Sequence, residues 1–163
     1  MNELFLVVAP SGSGKDYLVS KMCSKFGLKK VTSRTTRKPR FSGEKSYKFK
    51  TISEWNKEKS EAIAPAYYCG NHYWTMKGDL ENANFYIVEP SGIDAVKESG
   101  LEFKVIYINT PILRRIKYMR RRGDKFISIL KRIANDIRGF KGVKSKADFI
   151  VKDEVEFESI FLK

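Results

Sequence analysis

The sequence predicts an α/β domain, a three-layer αβα sandwich around a mainly parallel sheet. Short apolar runs of strand length alternate along most of the chain with segments of helical periodicity, as in parallel strands joined by crossover helices. The chain has 163 residues and is 42% hydrophobic, enough for the core of one domain. We therefore expect a single domain over 1–163, with a core at about 1–32 and 76–163 and a small β-rich lobe at about 33–75.

The first strand is predicted at about Glu3 to Ala9, where an apolar run follows the start of the chain. The first helix is predicted from about Gly14 to Phe26, because apolar residues recur there at helical spacing. Gly27 then supplies a helix stop. A glycine-rich loop joins this strand to this helix.

That loop, APSGSGKD at 9–16, has the features of a phosphate-binding loop. Gly12 and Gly14 let the backbone approach an anion and turn its N–H groups inward, and the next helix adds free N–H groups and partial positive charge. Lys15 adds a full charge at the β/γ-phosphate position. The loop fits the P-loop pattern GxxxxGK(S/T) except that Ala9 replaces the first glycine and Asp16 replaces the hydroxyl residue that binds Mg²⁺. The predicted ATP-binding residues are Ser11, Gly12, Ser13, Gly14, Lys15 and Asp16.

The later elements continue the alternation. Strands are predicted at Tyr47–Phe49 and Ala66–Tyr73 in the lobe, and at Phe85–Val88, Phe103–Ile108 and Phe149–Val151 in the core. Helices are predicted at Ile93–Ser99, after Pro111, at about Lys125–Arg138 and after the last strand. Gly123 separates the two basic helices.

The net charge of +13 is unevenly distributed. Residues 29–50 hold nine Lys or Arg against one acid, and residues 114–146 hold thirteen against two. This balance indicates polyanionic ligands, either nucleotide phosphates or nucleic acid, with a surface tuned for solubility as a third alternative. No apolar run reaches the roughly 18 residues of a membrane span, and two cysteines without metal spacing favour reduced thiols. We expect a cytoplasmic protein without a membrane partner.

A second motif begins at Thr32, with the sequence TSRTTRKPR followed by GEKSY at 43–47. Arg37 and Arg40 can offer planar guanidinium groups to one phosphate, and Ser33 can add a further donor. On composition alone a solvated basic loop is the alternative. The order of residues, SxTTRxPRxxGExxY, resembles the acceptor-nucleotide segment of guanylate kinases, P-loop enzymes that pass the γ-phosphate of ATP to GMP.

The resemblance covers nearly the whole chain. The segment GNHYWT at 70–75 resembles the family's GNYYGT, and IVEPSG at 87–92 stands where the family has a strand ending in DxDxxG. Arg122 and Arg132 resemble the arginines of the family's lid, so the resemblance implies a helical lid at about 120–140. The resemblance implies catalytic roles for Lys15, Arg122 and Arg132, and an acceptor site of Ser33, Arg37, Arg40, Tyr47, Tyr73, Thr75 and Glu89. Thr75 would reach the base edge, and Glu89 would lie near the acceptor and the metal.

Four positions depart from the family. The glutamate that grips guanine corresponds to Ala64, and Trp74 replaces a glycine, so we expect its indole to stack on the base or to fill the pocket. The family's first strand-end aspartate corresponds to Ile87. Our hypothesis is that Asp16 supplies the missing carboxylate to Mg²⁺, for which Asp is a competent oxygen ligand.

The leading hypothesis is Mg²⁺-dependent phosphoryl transfer from ATP to a nucleoside monophosphate, GMP or dGMP first, by a monomer or homodimer. A ribose 1,5-bisphosphate kinase-like enzyme is an alternative, because that group also has a GKD loop. A catalytically weakened guanylate kinase-like binding module is a second alternative, motivated by Ala64, Ile87 and the altered loop. Two anionic substrates account for the basic balance, so nucleic acid is not expected as a partner.

Overall fold

The computed structural model describes residues 3–39, 41–68 and 70–162. The strands are β1 Phe5–Val8, β2 Arg34–Thr35, β3 Lys48–Phe49, β4 Ile63–Tyr68, β5 Asn71–Thr75, β6 Phe85–Ile87, β7 Lys104–Ile108 and β8 Phe149–Val151. The helices are α1 Lys15–Phe26, α2 Ile52–Glu58, α3 Lys77–Glu81, α4 Pro90–Glu98, α5 Ile112–Arg121, α6 Phe126–Gly139 and α7 Glu154–Ser159.

The central sheet has the strand order β6-β1-β7-β8, and all three pairings are parallel. Parallel strands need crossover connections, which the helices between them supply. The carboxyl ends of these strands lie along one edge of the sheet, where α/β proteins bind ligands. The glycine-rich loop leaves β1 at that edge.

Side chains of β1 alternate between two buried layers. Leu6 and Val8 join the core cluster that contains α4, whereas Phe5 and Val7 join the cluster that contains α1 and α7. Successive side chains of a strand point to opposite faces, so one apolar strand supports helices on both sides. The predicted αβα fold is confirmed.

A second sheet has the order β3-β2-β5-β4, in which β2 pairs with β3 in parallel and the other pairings are antiparallel. The strand predicted at Ala66–Tyr73 is wrong as a single piece. It comprises parts of β4 and β5, because Gly70 adopts a positive φ of 76° between them. We call this sheet and α2 the acceptor lobe, residues 34–75.

The helices α5 and α6 have their own small core of Met119, Ile129 and Ile133. The chain turns between them at Gly123, whose φ is 92°. We call α5, α6 and this turn the lid. In the part of the chain that the structure covers, no helix combines the length and apolar character needed to cross a bilayer.

Candidate functional site

The glycine-rich loop turns its carbonyl groups toward the protein. The Ser13 carbonyl accepts a hydrogen bond from the buried Thr110 hydroxyl at 3.1 Å, and the Ser11 carbonyl accepts one from Arg115 Nε at 2.8 Å. The Pro10 carbonyl accepts one from the Ser13 N–H at 3.2 Å. These contacts leave the opposite side of the loop for N–H groups.

The N–H groups on that side have no partner within the described chain. The backbone N–H groups of Gly12, Gly14, Lys15 and Asp16 donate to no other described residue. The Ser13 hydroxyl is also buried, and it too lacks a hydrogen-bond partner there. Unsatisfied N–H groups at a helix N-terminus form an anion site, so the loop has the donors that a phosphate chain requires.

The loop lies directly against α5. Gly12 has a φ of 76°, and a Cβ atom at this position would lie 2.8 Å from the Arg115 carbonyl oxygen and 2.8 Å from Met119 Cγ. Glycine is therefore required there by both conformation and space. The approach fixes the distance between the loop and the lid.

The sequence did not point to Asp136, which accepts the hydrogen bonds of Ser11. The Asp136 carboxylate accepts hydrogen bonds from the Ser11 N–H at 3.0 Å and from the Ser11 hydroxyl at 3.2 Å, and it pairs with the Arg115 guanidinium. Ser11 was predicted to bind ATP, but both of its donors are committed to α6 in this structure. The contacts of Ser11 join it to residues more than 100 positions away, and no sequence motif links them.

Charged groups surround the start of α1. The Asp16 carboxylate lies 3.7 Å from Lys15 Nζ and 3.9 Å from Lys30 Nζ, and it is largely exposed. A hydrogen bond to Asp124 raises the pKa of Arg122, and the nearby charge of Asp16 acts in the same direction. The structure thus brings Arg122 close to the loop.

Arg132 belongs to the same group of charges. The Arg122 guanidinium, bonded at 2.5 Å, lowers the pKa of the Asp124 carboxyl, and the charge of Arg132 lowers it further. Asp124 therefore pairs with Arg122, and Arg132 lies near enough for its charge to act on the same carboxyl. Both arginines are solvent-exposed.

A cavity of about 490 Å³ opens beside the loop, between α1, α5 and the start of α7. The rings of Tyr17 and Tyr118 line it together with Arg114 and Lys152, and both tyrosines are exposed. Its volume suits a small-molecule ligand, and exposed rings can stack on a base. No sequence signal marked the two tyrosines, because they come from separate segments.

The acceptor lobe, named for the role that the sequence predicts, brings together a second set of side chains suited to an anion. Arg37 pairs with the Glu44 carboxylate at 2.7 Å, and this hydrogen bond raises the pKa of Arg37. The Arg37 guanidinium also lies 5.5 Å from the centre of the Tyr47 ring, and that ring contacts Tyr73 at 5.6 Å. Three of the predicted acceptor residues are thereby brought together. Arg40 lies outside the described residues.

Hydroxyl groups continue this surface toward the central sheet. The Thr75 hydroxyl lies 3.2 Å from those of Ser33 and Tyr86, and Thr75 and Tyr86 are buried. Burial raises the pKa of Tyr86, so its phenol stays protonated. Ser33 and Thr75 were predicted, whereas Tyr86 was missed because a tyrosine in a strand usually indicates packing.

The expectation for Trp74 is wrong. Its indole is 1% exposed, contacts Trp55 and donates a hydrogen bond to Glu58 at 2.8 Å. Trp74 alternates along β5 with Tyr73 and Thr75, so its side chain points to the opposite face of the strand.

Ala64 adopts a φ of 48° at an irregularity in β4.

The residues for a metal ion are few. Ile87 packs against the core, Glu89 is exposed at the start of α4, and no cluster of three or more His, Cys, Asp or Glu exists among residues 3–39, 41–68 and 70–162. Mg²⁺ commonly binds one or two carboxylates together with substrate phosphates. An exposed Asp16 beside the free N–H groups of the loop fits that requirement.

Three curated guanylate kinases are similar to the chain. The protein from Ralstonia nicotianae is 38% identical over 85 residues. The matched segment makes up 48% of this chain and only 38% of that protein's length. Those from Hydrogenovibrio crunogenus and Cupriavidus pinatubonensis are 25% and 27% identical over 98% and 94% of the chain, and 87% and 76% of their own lengths. No protein-family model matches the chain.

The fold is shared with solved structures, including that of a guanylate kinase. The crystal structure of guanylate kinase from Anaplasma phagocytophilum has a TM-score of 0.61 and 22% identity to the chain. The superposition covers 96% of this chain and 80% of that one.

Proposed function

We propose that the chain is a member of the guanylate kinase family and transfers the γ-phosphoryl group of ATP to a nucleoside monophosphate, with GMP or dGMP as first acceptors. The observation that carries the proposal is the juxtaposition of two anion sites. The loop with free N–H groups leaves β1, and the hydroxyl group of Tyr86 on the adjacent strand β6 begins the surface that leads to Arg37. Adjacent strands are about 4.8 Å apart, so donor and acceptor can meet at this edge.

The donor side binds ATP through main-chain groups. The N–H groups of the loop and the Lys15 ammonium face the β- and γ-phosphates, and the Ser13 hydroxyl can add a donor. The cavity beside the loop takes the base, with Tyr17 and Tyr118 as stacking surfaces. Arg122 and Arg132 stabilise the charge of the transferring group.

The acceptor side binds the monophosphate through Arg37, Arg40, Tyr47 and Tyr73, and the base through Ser33 and Thr75. Glu44 holds the Arg37 guanidinium in place before the phosphate arrives. Position 64 has no carboxylate to accept hydrogen bonds from guanine. The hydroxyl groups of Ser33, Thr75 and Tyr86, which we call the hydroxyl row, must therefore supply the contacts to the base.

The reaction needs alignment and charge neutralisation. A phosphate oxygen of the acceptor attacks the γ-phosphorus, the bond to the β,γ-bridging oxygen breaks, and its electron pair leaves with ADP. That oxygen is already ionised at neutral pH, so no general base is required. Mg²⁺, when bound with ATP through Asp16, would neutralise phosphate charge. The loop, Lys15 and the lid arginines supply the rest of the alignment.

The test is ADP formation from Mg·ATP with GMP, dGMP, AMP, CMP, UMP, dTMP and ribose 1,5-bisphosphate. Turnover with a nucleoside monophosphate is the expected result, and no turnover with any acceptor would contradict the proposal. Arg37→Ala should abolish acceptor use and leave ATP binding nearly unchanged. Lys38→Ala removes the same charge from the adjacent exposed position and serves as the control.

A further inference from the structure

Asp136, Arg115 and Ser11 form a closed ring of polar contacts. Asp136 accepts from both donors of Ser11 and from Arg115, while Arg115 Nε returns a hydrogen bond to the Ser11 carbonyl. The side chains of Arg115 and Asp136 are only 8% and 11% exposed. The ring joins the phosphate-binding loop, α5 and α6.

A buried ion pair is a weak source of stability, because desolvation offsets most of the attraction between the charges. Its geometry is nevertheless well defined when each partner is also hydrogen-bonded. In this ring the carboxylate, the guanidinium and the Ser11 main chain all have partners. The ring therefore acts as a rigid joint between the lid and the loop.

The joint determines where Arg132 lies. Arg132 precedes Asp136 by four residues on α6, which places both on one side of the helix. Ile129 and Ile133 pack on Met119 of α5, and Met119 contacts Gly12 of the loop. A shift of Asp136 relative to Ser11 must move Arg132 relative to the phosphate chain.

We propose that Asp136 is a positioning residue for phosphoryl transfer, acting through Ser11 and Arg115 to hold Arg132 at the phosphate-binding loop. The inference rests on the proposed function and extends it. Asp136 does not touch a substrate, and its own charge is balanced by Arg115.

The first experiment compares Asp136→Asn, Arg132→Ala and the double variant in steady-state kinetics. Asp136→Asn keeps the side-chain volume but loses the charge, and misplacing Arg132 should lower kcat at least about tenfold. The acceptor KM should stay within about twofold. If Asp136 acts through Arg132, the effects of the two changes on kcat will be less than additive in the double variant. Asp94→Asn, which breaks an exposed pair with Lys146, is the matched control and should leave kcat unchanged.

The second experiment is hydrogen exchange on the same variants. Asp136→Asn should increase amide hydrogen exchange in both the loop and α6. This readout does not depend on turnover. Unchanged exchange in either segment, an unchanged kcat, or additive effects with Arg132→Ala would overturn the proposal. Ser11→Ala removes one hydrogen bond of the ring and provides a milder variant should Asp136→Asn fail to fold; a kcat equal to that of the unchanged protein would then overturn it. Failure of the proposed function would instead appear in the unchanged protein, as absent turnover with every acceptor.

Discussion

The polar groups that face a ligand belong to the main chain in the phosphate-binding loop and to side chains in the acceptor lobe. In the loop, carbonyl groups bond to Arg115 and Thr110, and N–H groups remain for phosphate. In the lobe, the corresponding groups are the side chains of Arg37 and Tyr47 and the hydroxyls of Ser33, Thr75 and Tyr86. If the proposed roles hold, we expect the loop to tolerate changes of side chain better than changes of backbone, and the lobe to tolerate changes of backbone better than changes of side chain.

The two regions also place their buried charges differently. The Arg115–Asp136 pair contacts the loop itself. In the lobe, Arg34 pairs with Glu58 at 2.7 Å and with Asp79 at 3.1 Å, and Trp74 also bonds to Glu58. This second network lies on the face of β5 opposite to Thr75, so it supports the sheet without reaching a ligand.

Gly12→Ala should have the largest effect, on the donor side. A residue with a Cβ loses about 1–2 kcal/mol in the left-handed region, and the contact with the Arg115 carbonyl adds to this, so kcat/KM for ATP should fall at least about thirtyfold. Gly14→Ala has the same backbone strain, with a φ of 79°, but no atom within 4 Å, and should be milder. If Gly12→Ala and Gly14→Ala lost the same kcat/KM and the same thermal stability, α5 would not constrain the loop.

Trp74→Phe should reduce stability without changing acceptor binding. It removes the hydrogen bond to the Glu58 carboxylate, and a bond to a charged group contributes about 1.5–3 kcal/mol. The free energy of unfolding should fall by about that amount, with the acceptor KM unchanged. Trp55→Phe is the matched aromatic control. A raised acceptor KM in Trp74→Phe alone would place this indole at the pocket after all.

Tyr86→Phe should change acceptor use alone. One neutral hydrogen bond contributes about 0.5–1.5 kcal/mol, so kcat/KM for the acceptor should fall about threefold to tenfold while the KM for ATP is unchanged. Tyr107→Phe, a buried tyrosine on β7, is the control. Equal changes in the two variants would contradict a role for the hydroxyl row.

The smallest expected effect is a pH dependence of the acceptor lobe. Hydrogen bonds from Lys50 and Thr51 lower the pKa of Glu54 from 4.5 to about 2. Its contribution to stability is thus complete above about pH 4.5 and is lost as the pH falls toward 2. The difference in unfolding free energy between the unchanged protein and Glu54→Gln should shrink over that range. A difference that is constant down to pH 2 would exclude this cause.

Much of the fold and of the donor site is predictable because the signals are local. The loop APSGSGKD specifies its own strand, turn and helix, and α1 buries Leu18, Val19 and Met22 at the expected spacing. The face that Trp74 presents was not predictable in the same way. That face depends on how β5 pairs with the two residues of β2, and on the contact between Trp74 and Trp55 of α2.

The ring around Asp136 was beyond sequence reasoning for a similar reason. Each of its members has an ordinary alternative role as a surface charge or a loop serine. Only the packing of α5 on Gly12 brings the three segments together. The functional roles of all the predicted site residues, including Lys15, Arg37, Arg122, Arg132 and Glu89, stay predictions.

The central position of β1 also has a consequence for how the chain folds. This strand is made before its partners, since Phe5 pairs with Phe85 in β6 and with Lys104 in β7. Pairings across 80 to 99 positions are slow to form, because a long loop must close first. During synthesis β1 therefore waits for about a hundred further residues to emerge before β7 can pair with it. We expect nascent chains halted before β7 to be sensitive to proteases and to bind no nucleotide.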